Sequence, residues 1–102
     1  LDGHLVQGHV DGVAKCIGVF VNDGSWIYKF EFDITHEILL IEKGSICING
    51  VSLTVFDIDK NTFKVTIIPY TFENTSFKGL KRGDLVNIEF DMIGKYLARL
   101  NK

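Results

Sequence analysis

Residues 42–59 read EKGSICINGVSLTVFDID, and the fold is decided by how this stretch is folded on itself. Asn49-Gly50 sits between two short runs rich in β-formers, the pairing that gives a tight two-residue hairpin, because both turn residues must take positive φ. The second run alternates, with Ser52 and Thr54 on one face and Leu53 and Val55 on the other. Valines would serve a strand equally well at 52 and 54, so the two hydroxyls raise a question of purpose.

Outward from this hairpin the same grammar repeats. Val10 to Val21 alternates loosely and carries glycines at 8, 12 and 18, which suits a long strand that bends or bulges, and "NDG" follows as a turn. "SWIYKFEFD" sets Trp26, Tyr28, Phe30 and Phe32 on one face. "THEILLIEKG" predicts a short helix capped by Thr35 and ended by Gly44. "TFKVTIIPY" alternates Phe63, Val65 and Ile67 inward and stops at Pro69, the only proline. "TFENTSFKGLKRGD" reads as the longest irregular piece. "LVNIEFD" turns Val86, Ile88 and Phe90 inward, and "GKYLARL" has helical spacing. About six alternating strands with short turns imply an all-β fold, an antiparallel barrel, since closure removes the edges such strands would expose.

Composition narrows the function. The chain has 102 residues, 46% hydrophobic and 12% aromatic, enough for one core and too apolar for a disordered segment. A formal charge of −2 leaves no basic stripe, which argues against nucleic acid and against an anionic membrane surface. No apolar run approaches the roughly 20 residues of a membrane span, so a cytoplasmic protein is expected. Cys16 and Cys47 fall in different strands without metal-ligand spacing and read as buried thiols. His4 and His9 are five apart on extended backbone, hence on opposite faces, and a shared metal is not expected. Lys43 near a helix end and Asp91 after Phe90 are ordinary one by one. Ser52 and Thr54 carry more, because adjacent same-face hydroxyls form a small row of donors and acceptors suited to a planar polar ring.

Four blocks together say more: GHLVQGHVDG (3–12), KGSICINGVSLTV (43–55), IIPYTFENTSF (67–77) and GDLVNIEFDMIGKYLAR (83–99). They resemble riboflavin synthase, in the family's order, and specifically the second of its two homologous barrels, because the first usually carries a cysteine where this chain has Ser52. The resemblance implies a six-stranded antiparallel Greek-key barrel over 1–93, the start of a C-terminal helix at 94–102, and a homologous N-terminal barrel absent from this chain. It implies binding of 6,7-dimethyl-8-ribityllumazine, two molecules of which dismutate to riboflavin and a pyrimidinedione by transfer of a four-carbon unit. By the same resemblance His9, Ser52 and Asp91 are the catalytic candidates. Lys43, Gly44, Ile46, Asn49, Ser52, Thr54, Pro69 and Thr71 are the substrate-binding ones, and Asn49 stands where some members carry an acid. No cofactor and no metal is expected, and the assembly implied is a homotrimer. Two further readings belong to related classes: a non-catalytic lumazine- or flavin-binding protein of the same superfamily, and a reductase-type flavin-binding barrel, for which no GxGxxG follows any strand.

Overall fold

The structure, a computed structural model, describes residues 11–33, 40 and 42–90. The expected features at His4, His9 and Asp91, the helix capped by Thr35 and the C-terminal helix lie outside those residues. Six strands, β1 (Gly12–Asn22), β2 (Ser25–Phe32), β3 (Ser45–Ile48), β4 (Val51–Asp59), β5 (Thr62–Ile67) and β6 (Leu85–Phe90), form a closed barrel in the order β1-β2-β5-β4-β3-β6. Every adjacent pair is antiparallel. The order is that of a Greek key: a hairpin, a three-strand meander, and a last strand inserted between β1 and β3 to close the wall.

Side-chain alternation fills the inside. Tyr28, Phe30, Phe63, Phe77, Ile46, Ile48, Val55, Val65, Ile67, Val86, Ile88 and Cys16 are essentially without solvent contact. Four aromatic rings form its centre: Phe30 stacks on Phe63 at 5.5 Å, and Phe77 meets the edge of Tyr28 at 5.1 Å. Burial of each such ring contributes about 1.5–3 kcal/mol. Phe30→Ala, which empties the middle of the cluster, is the single change that damages it most, at about 3–5 kcal/mol.

The turns behave as their residues dictate. Asp23-Gly24 and Asn49-Gly50 both have positive φ at both positions, 51 and 90° in the first and 48 and 84° in the second, the twist that matches two antiparallel strands. β1 bulges between Cys16 and Gly18, where the register with β2 shifts by one. The extra residue, Ile17, reverses the parity of everything after it, so Gly18 and Phe20 stand opposite the outward Lys29 and Ile27.

Two expectations change. The segment after β5 is not irregular: Pro69–Asn74 forms a helix, α1, with Pro69 in its first turn, and Ser76–Gly79 forms a 3₁₀ turn capped by the Thr75 hydroxyl. Proline's fixed φ and missing N–H fit the first helical position. At the other expected helix end, the left-handed residue is Lys43, with φ of 66°, and not Gly44.

Candidate functional site

Ser52 and Thr54 project from the outer face of β4, where their partners across the ladder are Cys47 and Ser45. The inner face of the same hairpin carries Ile46, Ile48 and Val55, all buried. Ser45, Ser52 and Thr54 make no side-chain hydrogen bond among the described residues, although a hydroxyl on a strand readily finds one. Ser52 is half-buried and Thr54 exposed. These three hydroxyls thus form a neutral polar row with open bonding capacity on a surface that is partly screened from water.

Lys43 borders this row. Its backbone N donates to Val55 O at 2.7 Å, and Val55 N donates to Gly44 O at 2.8 Å, which extends the β3–β4 ladder to the turn. A lysine in the left-handed region is disfavoured by about 1–2 kcal/mol relative to ordinary helical backbone. The neighbouring Glu42 holds it there: its carboxylate accepts from Asp57 N (2.8 Å) and Ile58 N (3.2 Å), within the second bulge of the barrel, between Phe56 and Asp59. Asp57 in turn pairs with Lys64 at 2.6 Å, which lowers its carboxyl below the usual range. Lys43 itself makes no ion pair among the described residues and is exposed.

On the other side of β4 lies β5. The register sets Val55 opposite Val65 and Phe56 opposite Lys64, and the pairing of the two strands ends there on the side toward Thr54. Ile68 is 55% exposed and Tyr70 74%, large apolar groups on the outer surface where β5 passes into α1. Pro69 is exposed and Thr71 half-buried in the same turn. A stacking contact fixes this turn to the barrel, since Phe72 lies 3.8 Å from Trp26 with the rings nearly parallel at 10°.

The residues expected from sequence therefore divide. Ser52, Thr54, Lys43 and Gly44 share the β3–β4 outer face and its mouth, and Pro69 and Thr71 lie in the turn that follows β5. Ile46 belongs to the barrel core, with its side chain facing away from that surface, so only its backbone is available to a ligand there. Asn49 is at the far end of the hairpin and is engaged: its Oδ1 accepts from Asn87 N at 2.8 Å while its own N donates to Asn87 O at 2.9 Å, stitching the turn to β6. Ile68 and Tyr70 were not expected. Their signal is parity, because Ile67 points inward and an isoleucine directly after it must face out.

Cys47 faces outward and is nonetheless buried, beside Ser52 on one side and Glu89 on the other. Burial, and next the charge of Glu89, push its thiol pKa up, so it stays protonated and adds no charge to the hydroxyl row. Cys16, inside the barrel, is shifted the same way by burial. The described residues contain no group of three or more histidine, cysteine or acidic side chains arranged to hold a metal, and no helix long and apolar enough to cross a membrane. What the surface offers is a shallow face with neutral donors, one exposed cation at its mouth and two exposed apolar groups on its flank. Such a face suits a flat, uncharged heterocycle, which neutral donors orient without any ion being desolvated.

The chain has relatives among known proteins. The sequence matches the lumazine binding domain over residues 7–91. Riboflavin synthase of Actinobacillus pleuropneumoniae is 41% identical over 97 residues, an alignment that covers 95% of this chain and 45% of that protein. Riboflavin synthase of Bacillus subtilis (strain 168) is also 41% identical over 97 residues, with the same 95% and 45% coverage. The chain thus spans about half the length of the curated relatives it matches. Among solved structures, that of LumP complexed with 6,7-dimethyl-8-(1'-D-ribityl) lumazine superposes with a TM-score of 0.76 at 25% identity, covering 86% of this chain and 49% of that one. LumP complexed with riboflavin gives the same TM-score of 0.76 and 25% identity, over 84% of this chain and 46% of the other. With the match running from residue 7 to residue 91 and the six-stranded barrel reproduced, the chain belongs to the lumazine-binding domain family.

Proposed function

We propose that this barrel binds 6,7-dimethyl-8-ribityllumazine on the outer face of β3 and β4 and serves as the second of two homologous barrels in a riboflavin synthase. The observation that carries the reading is the row of unpartnered hydroxyls at Ser45, Ser52 and Thr54, on an exposed barrel face and in a chain of this family. Ser52 bonds the ring, and Thr54 fixes its edge or side chain. Lys43 and Thr71 border the pocket, Gly44 and the backbone at 46 complete its floor, and the Pro69–Thr71 turn meets the ribityl chain. Ile68 and Tyr70 add apolar surface for the ring.

In the whole enzyme two lumazines react: one gives a four-carbon unit to the other, and riboflavin and a pyrimidinedione leave. The exchange balances between the two substrate molecules and needs no outside oxidant or reductant. Deprotonation of the 7-methyl group starts it. Because that anion is delocalised into the ring, little base strength is required and a histidine or a carboxylate suffices at neutral pH, and His9 and Asp91 are assigned to this proton transfer. The partner is a homologous first barrel presenting the second lumazine, within a cytoplasmic homotrimer. The alternative of a ligand-holding protein without turnover is the weaker reading: relatives named riboflavin synthase are 41% identical, whereas the LumP structures are 25% identical.

The experiment is a fluorescence titration with ribityllumazine and riboflavin, followed by an assay of riboflavin formation by the chain alone and with a separately expressed first barrel. Aligning two reactants is worth about 7–11 kcal/mol, whereas one general base contributes on the order of 10²–10⁴-fold. Binding by the chain alone, little turnover, and a gain on mixing are the expected results. No change in ligand fluorescence at high micromolar protein overturns the pocket, and full turnover by the lone chain overturns the need for a second barrel.

A further inference from the structure

The outer edge of β1 is only partly used by the barrel. β6 pairs with Gly12–Lys15, and the last backbone bonds on that side are at Cys16, which donates to Asp84 O at 2.8 Å and accepts from Gly83 N at 2.7 Å. Gly18–Asn22 continue as strand, yet among the described residues only β2 pairs with them. The stretch IGVFV, residues 17–21, contains no charge and no proline, the devices by which proteins blunt an open edge. Val21 is 81% exposed and Phe20 51%. The Phe20 ring lies flat along its own strand, over Gly18, where a Cβ would come within 2.7 Å of it. Ile17 to Phe20 and Leu80 to Arg82 line an open cleft of about 620 Å³ beside this edge.

The charges at the two ends of the edge are opposite. Lys81 and Arg82 flank its start near Ile17, and Asp23 occupies the hairpin turn immediately after its end. None of the three makes an ion pair among the described residues.

We infer that this edge is a self-association surface whose occupant is a second copy of the chain, its own Gly18–Asn22 laid antiparallel about a two-fold axis at Phe20. Such pairing sets Phe20 against Phe20, Val19 against the partner's Val21, and Gly18 against the partner's Asn22. One residue further, the partner's Asp23 reaches the turn that carries Lys81 and Arg82, and the symmetry produces that contact twice. The interface is isologous, as a closed dimer requires. The matching acid is present at the needed place on the same chain, which favours a second copy over an unrelated strand. A five-residue contact is far smaller than the roughly 1,200–2,000 Å² of a stable complex, so association is weak and appears only at high concentration. It is independent of the ligand face on β3 and β4.

The test is sedimentation velocity of the 102-residue chain across a wide concentration range at low and high salt. Expected is a monomer–dimer equilibrium that weakens with salt and is lost in Val21→Lys, whose exposed site leaves thermal unfolding unchanged. Asp23→Lys should raise the dissociation constant roughly 2- to 30-fold, because each exposed charge contact occurs twice. Lysine already occupies positive φ at 43 and 60, so the turn accepts it. Adding Lys81→Glu with Arg82→Glu to Asp23→Lys should restore association. A monomer at every concentration, or a dimer indifferent to Val21→Lys and to the charge exchange, overturns the inference.

Discussion

Replacing Ser52 with valine separates ligand binding from folding more cleanly than any other change in this barrel. The Ser52 hydroxyl has no partner among the described residues, so its removal leaves no protein group unsatisfied. The side chain is half-buried on the outer face of β4, opposite Cys47, and valine suits a strand at least as well as serine. Stability should therefore move by no more than about 0.5 kcal/mol. A ligand that bonds this hydroxyl loses one neutral hydrogen bond, about 0.5–1.5 kcal/mol, which is roughly a 2- to 13-fold rise in dissociation constant. Ribityllumazine and riboflavin titrations by fluorescence, with thermal unfolding of the same samples, read the two effects separately. Ile46→Val supplies the converse: it trims the inner face of the paired strand, so it should cost about 0.5–1.5 kcal/mol of stability and leave affinity unchanged. Unaltered affinity in Ser52→Val, or lost affinity in a stable Ile46→Val, refutes the assignment of binding to the outer face.

Other outcomes follow from the core and turns. Tyr28→Phe removes a buried bond from Tyr28 Oη to Phe77 O (2.9 Å), while that carbonyl keeps the bond it accepts from Leu80 N (3.1 Å), so urea unfolding should show a loss of about 0.5–1.5 kcal/mol. Gly50→Ala places a Cβ in open space but at φ of 84°, so the penalty of about 1–2 kcal/mol is conformational alone, and a lower melting temperature without altered packing by NMR is expected. Cys16, Cys47 and Tyr28 all have pKa values raised chiefly by burial, so the folded state keeps these protons longer than the unfolded chain. Stability from them is fully present below the unfolded thiol range, near about 8.5, and declines as pH rises through it toward the folded values, which denaturant melts from pH 7 to 11 would follow.

The strands were legible because period-two alternation is a direct trace of a wall with one dry side. Tyr28, Phe30 and Phe32, Phe63, Val65 and Ile67, and Val86, Ile88 and Phe90 all face inward as their spacing requires. Helix α1 was not legible because it buries no residue and has no side-chain cap; a six-residue turn needs no apolar stripe, and only Pro69 marks its start. The bulge in β1 was announced by the glycines of its segment, but its exact place at Ile17 and the parity reversal after it were not, since both are defined only by the partner strand. At the site, the Ser52 and Thr54 row was visible as a pattern, but their lack of partners is a property of three dimensions. Ile46 was readable as core from its own alternation with Ile48. Ile68 and Tyr70 gain meaning only once Ile67 is known to point inward.

The Greek-key order also bears on the time course of folding. β6 is the last of the described strands and the one that must slot between β1 and β3, joining Gly12 to Ile88 across most of the sequence and Ile48 to Ile88 across a shorter span. Until residues 85–90 leave the ribosome, β1 and β3 both present unpaired backbone, and the aromatic centre has one wall open. Such sequence-distant pairing places barrels of this kind among the slower two-state folders, in the millisecond-to-second range, because the chain loses loop entropy before the closing contacts form. The Asn49–Asn87 stitch, which joins the hairpin tip to the arriving strand, is then a clasp that forms at the last step of closure and slows its reversal.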